Sequence, residues 1–151
     1  MFNKLSSLQP GKKCSIVKHF EKIKYMYSNE SINNNLLVKE QLDNIAILKM
    51  NRQKQRNALN NELIDALKGE ISLISTDERI KVVILKAIGP DFCTGHDLKE
   101  LAALKNKNET LLLFQSCSDL MMMIHKLHKP VIAQVHGNAS AGKLIVLFKK
   151  M

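Results

Sequence analysis

The chain has 151 residues, of which 45% are apolar, 25% charged and only 5% aromatic, a balance that excludes a disordered polymer and fits one globular domain whose core is built from Leu, Ile, Val and Met. It contains no run of 18 or more apolar residues, so no membrane span is expected. The formal charge of +9 invites a nucleic-acid reading, yet +5 of it lies in residues 1–28, where Lys4, Lys12, Lys13, Lys18, Lys22 and Lys24 stand against Glu21 alone. The other basic residues are scattered and not interleaved with aromatics, so no nucleic-acid partner is expected.

Residues 1–35 form a compositional unit of their own. They are rich in Lys, Ser and Asn, and residues 28–35 (SNESINNN) are a polar linker. No apolar stretch suited to a secretory signal occurs in them. A basic, acid-poor leader is the composition of an organelle presequence, although Arg is absent and a basic tail is the alternative. Cys14, Cys93 and Cys117 lie far apart with no CxxC pair, which suits free thiols in a reducing compartment. Cys93 and Cys117 read as small buried side chains.

Regular structure is expected from residue 36. LLVKEQLDNIAILKMN reads as two strands joined by a turn at Asp43-Asn44. The polar stretch NRQKQRNALN is loop-like. Leu63, Ile64, Leu67, Ile71 and Ile74 then recur at helical offsets behind an N-cap at Asn60 or Asn61, with Glu62 in the first turn. VVILKAIG (82–89) is a buried strand ending at Gly89-Pro90. A short helix is expected over 97–105, with Asp97 near its start. A longer helix over 110–128 runs through Leu113, Leu120, Met121, Ile124 and Leu127, and its basic end at His125, Lys126, His128 and Lys129 suits the negative pole of its dipole. PVIAQVHG (130–137) is a further strand, followed by the small-residue turn NASAG. Strands alternating with helices predict an α/β sheet with crossovers.

Ligands of α/β folds bind in the loops that leave the carboxyl ends of strands. Two such loops stand out. In Gly89–Glu100, Gly95 precedes His96-Asp97 and a helix start, where free backbone N–H groups can face a developing oxyanion. In His136–Gly142, the small residues after Asn138 let backbone approach a ligand closely. Neither loop alone is specific. The side chain of His96 reads as an exposed loop histidine, since an adjacent His-Asp pair has poor geometry for general-base work and no nucleophile motif is present.

RNALN (56–60), VVILKAIGPDFCTGHDLKEL (82–101) and KPVIAQVHGNASAG (129–142), in that order and spacing, resemble the enoyl-CoA hydratase/isomerase, or crotonase, superfamily across about residues 36–142. The resemblance implies an α/β fold, here the N-terminal part of a spiral of ββα turns. It implies a CoA thioester as substrate or ligand, with no covalently bound cofactor, and a homo-trimer or hexamer as the family's usual assembly. By motif, the backbone N–H groups of His96 and Gly142 would hold the thioester oxygen. Lys54, Arg56, Ala58, Thr94 and Lys99 would meet the CoA nucleotide, with the cations against its phosphates and Thr94 at the adenine. Ile145 stands where hydratases carry their first catalytic Glu, and the second would lie beyond Met151.

These observations imply residues 1–35 as a mitochondrial presequence and linker and residues 36–151 as a partial acyl-CoA domain of the mitochondrial matrix. Three functions stay open: an enzyme of fatty-acid and lipid metabolism acting on CoA thioesters, a noncatalytic acyl-CoA-binding or regulatory protein, and a truncated fragment. The aliphatic residue at 145 weighs against hydratase activity.

Overall fold

The computed structural model of the protein describes residues 36–140. Strands β1 (Leu37–Leu42) and β2 (Ile45–Met50) form an antiparallel hairpin whose turn places Asp43 at φ 51°, a conformation that Asp and Asn tolerate better than most residues. Helix α1 (Asn61–Thr76) follows a single 3₁₀ turn at Gln53–Gln55. Then come β3 (Val82–Ala87), the short helix α2 (Leu98–Ala103), α3 (Lys107–Lys126) and β4 (Val131–Ala133). The strand, strand, helix, strand, helix, helix, strand order expected from the sequence is the order found.

The sheet order is β1-β2-β3-β4, with β2, β3 and β4 mutually parallel. Ile45 pairs with Val82 and Met50 with Ala87, so β2 and β3 end level with each other. Pairing every second residue puts Ala46, Leu48 and Met50 on one face beside Val83, Leu85 and Ala87. All six are buried. Against them pack Leu63, Ile64, Leu67, Ile71 and Ile74 of α1 and Leu113, Cys117, Leu120, Met121 and Ile124 of α3. Both helices show one apolar stripe at the spacing that burial of a single face requires.

Helix ends are secured as the sequence reading expects at α1 and beyond it at α3. The Asn60 side chain accepts from the Leu63 N–H at 3.1 Å, so Asn60 is the cap of α1. Asn106 accepts from the Glu109 N–H at 3.0 Å while the Glu109 carboxylate accepts from the Asn106 side chain and the Lys105 N–H. This reciprocal arrangement starts α3 at Lys107, three residues before its expected start.

Two expectations are corrected. Lys129 does not serve the end of its own helix: its ammonium donates to the carbonyls of Ile74 and Asp77 and caps the C-terminus of α1. The strand expected over 130–137 is regular only through Ala133, apart from one more ladder bond from the Gln134 N–H to Leu85 O at 2.9 Å. Gly137, at φ 55°, then turns the chain onto the loop that follows β3. Both described cysteines, Cys93 and Cys117, are buried free thiols, as read from the sequence.

Candidate active site

Because β2, β3 and β4 run in one direction, the loops that leave them, residues 51–60, 88–97 and 134–140, emerge at one edge of the sheet. That edge is where a parallel sheet presents ligand-binding loops. Three sets of hydrogen bonds hold the loops together.

The first set centres on Asn57, which is fully buried and sits at φ 54° after Arg56 at φ 51°. Its side-chain amide donates to Ile88 O at 2.9 Å and to Asp91 O at 2.7 Å, and its amide oxygen accepts from the Arg52 N–H at 2.8 Å. One side chain thereby ties the loop after β2 to the loop after β3. The second set is a short parallel bridge between Leu59 and His96. The Leu59 N–H donates to Gly95 O, and the Asp97 N–H donates to Leu59 O, each at 2.8 Å. Arg52 braces this bridge by donating to Ala58 O at 2.5 Å and to the Asp97 carboxylate at 2.9 Å. The third set docks the loop after β4. The Phe92 N–H donates to His136 O and Asn138 O, each at 3.1 Å, and the His136 ring lies 2.7 Å from Gly89 O. Gly137 is required at this contact, because an added Cβ would fall 1.9 Å from the Pro90 carbonyl oxygen.

The carboxylates of this edge are all engaged. Asp91 accepts from Arg56 Nε at 2.7 Å and from the Asn138 N–H at 3.2 Å. The Arg56 guanidinium holds its pKa down at about 2. Asp97 caps α2 through the Lys99 and Glu100 N–H groups and pairs with Arg52, whose hydrogen bond lowers its pKa. Glu100 accepts from the Asn61 backbone and side chain. Among the described residues no group of three or more His, Cys, Asp or Glu could hold a metal ion. No described helix is long and apolar enough to cross a membrane.

The residues singled out from the sequence fall in these loops. His96 sits at the head of the edge, and its side chain is not the exposed loop histidine expected from the sequence: it is half-buried, with its ring 4.9 Å from that of Phe114. In a parallel bridge its neighbours Gly95 and Asp97 make the hydrogen bonds to Leu59, so the N–H of His96 itself points the other way. No described residue accepts a hydrogen bond from that N–H. Thr94 donates from its hydroxyl to Arg56 O at 3.3 Å, and Ala58 is buried, with its N–H spent on Gln55 O. Lys54 and Lys99 are exposed. Arg56 is exposed but tied to Asp91. Gly142 and Ile145 lie outside the described residues. Sequence reasoning missed Arg52, Asn57 and Asp91, which hold the edge together. The only local signal was a polar NRQKQRN run, and polar runs are usually solvated loops.

The enoyl-CoA hydratase/isomerase family profile matches residues 40–148. The chain belongs to that family. It is 38% identical over 106 residues to the Danio rerio protein named enoyl-CoA hydratase domain-containing protein 3, mitochondrial, covering 70% of this chain and 37% of that one. Identity to the Homo sapiens protein of that name is 40% over 101 residues, covering 67% of this chain and 33% of the relative. Among solved structures, an enoyl-CoA hydratase from Mycobacterium smegmatis matches with a TM-score of 0.70 at 37% identity, over 72% of this chain and 43% of that one. The human domain-containing protein 3 matches with a TM-score of 0.65 at 36% identity, over 68% and 41%. The chain therefore spans about a third of the length of these curated relatives and carries part of the crotonase fold, as expected from its motifs.

Proposed function

We propose that this enoyl-CoA hydratase/isomerase-family chain binds acyl-CoA and polarises the thioester carbonyl, without hydratase turnover. The observation that carries the reading is the unspent His96 N–H. It is a fixed donor at the C-terminal edge of a parallel sheet, held by the bonds that Gly95 and Asp97 make to Leu59. A backbone donor of this kind stabilises charge that develops on a carbonyl oxygen, and its worth lies in being oriented before the ligand arrives. Gly142 is the second donor in this reading.

Lys54 and Lys99, both exposed, are the phosphate-facing cations. Thr94 and Ala58 supply backbone near the nucleotide. Arg56 contributes less than its charge suggests, since its guanidinium already neutralises Asp91.

Hydration of an enoyl thioester needs a group that activates water and one that delivers a proton. Asp91 and Asp97 are committed to hydrogen bonds within the loops and Glu100 to those from Asn61 at the start of α1, and in the motif register Ile145 would stand where the family carries its first acid. These facts favour binding, with enolate-type polarisation, over hydration. The names of the mitochondrial relatives and the basic leader support a role in mitochondrial fatty-acyl metabolism, with the matrix as the compartment.

Purified chain titrated calorimetrically with crotonyl-CoA tests the binding. A measurable, salt-sensitive affinity that Lys54→Ala with Lys99→Ala weakens is expected. The absence of any binding overturns the reading. Loss of enoyl absorbance well above the buffer rate overturns the exclusion of hydratase activity, and the Ile145→Glu variant measured in parallel shows whether an acid at that position suffices.

A further inference from the structure

Helices α1 and α3 pack on the same face of the sheet, and the seam between them changes along its length. Lys68, Ser72 and Ser75 recur on α1 at i, i+4 and i+7, and Ser116, Asp119, Met123 and Lys126 recur on α3 at i, i+3, i+7 and i+10, so each set shares one side of its helix. At Lys68 the seam is bridged, because its ammonium donates to the Ser116 hydroxyl at 3.2 Å. One turn later α1 carries Ser72 and then Ser75, whose side chains are too short to reach across. There the seam opens into a groove of about 430 Å³ lined by both helices, a size typical of small-molecule sites.

The groove lies away from the loops at the carboxyl edge of the sheet. α1 starts at that edge behind Asn60 and ends before β3 begins, and α3 ends before β4 begins. The last turns of both helices therefore stand at the amino ends of the strands. From Asn60 to Ile71 the helix advances roughly 16 Å.

Burial sorts the lining residues. Ile71 and Leu127 are buried and Met123 is half-buried, so the floor is apolar, and a methionine adapts its shape to an aliphatic chain. Ser72, Ser75, Met122, Lys126 and His128 are the exposed rim. The charge of that rim is unbalanced. Its acid, Asp119, accepts from Gln115 at 2.8 Å, whereas neither Lys126 nor His128 forms an ion pair among the described residues. Lys129 adds a further cation beside it, since its ammonium caps the turn of α1 that holds Ser75. An apolar floor under a cationic rim complements a molecule with an aliphatic body and one anionic head.

From this arrangement we propose that the groove between the last turns of α1 and α3 is a second ligand site, for an unbranched aliphatic carboxylate whose chain lies along Ile71, Met123 and Leu127 and whose head meets Lys126. A free acid brings neither the nucleotide nor the thioester that the loops at the other edge address, so this site is independent of the acyl-CoA reading.

The test follows the methionine methyl resonances of the full chain by NMR as octanoate is added. Met122 and Met123 line the groove, whereas Met50 lines the separate apolar cavity beside His96, and M122L and M123L assign the two groove signals. Saturable shifts of Met122 and Met123, with Met50 unmoved, are expected. Octylammonium, of equal chain length and opposite charge, should bind about fivefold more weakly or not at all, the scale of one ion pair at an exposed rim. K126E should weaken octanoate by a similar factor, and an unchanged Met50 signal shows that this variant keeps the fold. Absence of any shift, or shifts of Met50 alone, overturn the proposal. Equal affinities for octanoate and octylammonium in the wild-type chain overturn it as well, whether or not the variant folds, and so does wild-type affinity in folded K126E. Met122 and Met123 signals that move with protein concentration before octanoate is added assign the groove to a second copy of the chain and overturn it too. The crotonyl-CoA titration is unaffected by every one of these outcomes, so the two readings fail separately.

Discussion

Asn57 shows how much of this site hangs on single side chains. It is fully buried, makes three hydrogen bonds to two different loops and occupies a left-handed backbone conformation. Asn57→Ala leaves the Ile88 and Asp91 carbonyls and the Arg52 N–H without that partner. A loss of about 2–4 kcal/mol in unfolding free energy is expected from urea titrations followed by circular dichroism. Asp91 gives the site a pH dependence whose sign is fixed. An unfolded Asp titrates near ~3.9, whereas the folded carboxylate, beside Arg56, titrates at about 2. Its contribution is therefore complete above the unfolded value and is lost as the pH falls through about 2. Arg56→Ala removes the main cause, so acid unfolding of that variant should set in at a higher pH than for wild type. The sequence made the loop after β3 legible as a candidate site, because Thr94-Gly95-His96 falls between an apolar strand and a helix start. It hid the supporting residues: Arg52 meets Asp97 across 45 positions and Arg56 meets Asp91 across 35. Neither separation follows any local period.

At the scale of elements, periodicity was enough wherever one face of a helix or strand is buried. The α1 stripe expected from Leu63 to Ile74 is the buried set, and β3 follows its four-residue apolar run. Removing a cap tests how independently such an element stands. Asn60→Ala should cost about 1 kcal/mol. Leu120→Ala, in the fully buried seam between α3 and the sheet, should cost about 2–5 kcal/mol. Both are measured by denaturant midpoint. Periodicity failed after Ala133, where PVIAQVHG still looks like a strand. The cause is Gly137, whose positive φ redirects the chain so that Asn138 meets Phe92 and Asp91. Alternating apolar residues report burial, and they do not report where a strand leaves its ladder for another loop. Gly137→Ala forces a Cβ against the Pro90 carbonyl and should undock the third loop. The expected result is weakened thioester binding with little change in helix content.

For the whole molecule, the parallel run of β2, β3 and β4 turns three separate segments into one edge, and all three segments lie within residues 40–148, which match the family. The proposed import role belongs to residues 1–35, and a fluorescent reporter fused behind residues 1–40 should enter mitochondria. A reporter that stays diffuse in the cytosol contradicts it. The proposed chemistry depends on one backbone donor meeting one carbonyl oxygen. The most direct measurement is therefore a comparison of butyryl-CoA with S-butyl-CoA, the thioether of equal length that lacks only that oxygen. Both ligands present the same nucleotide to Lys54 and Lys99 and the same carbon count to the cavity. Tighter binding of the thioester, by about tenfold for a hydrogen bond to an oriented N–H, is the predicted result. Equal affinities for thioester and thioether would contradict the placement of the carbonyl at His96.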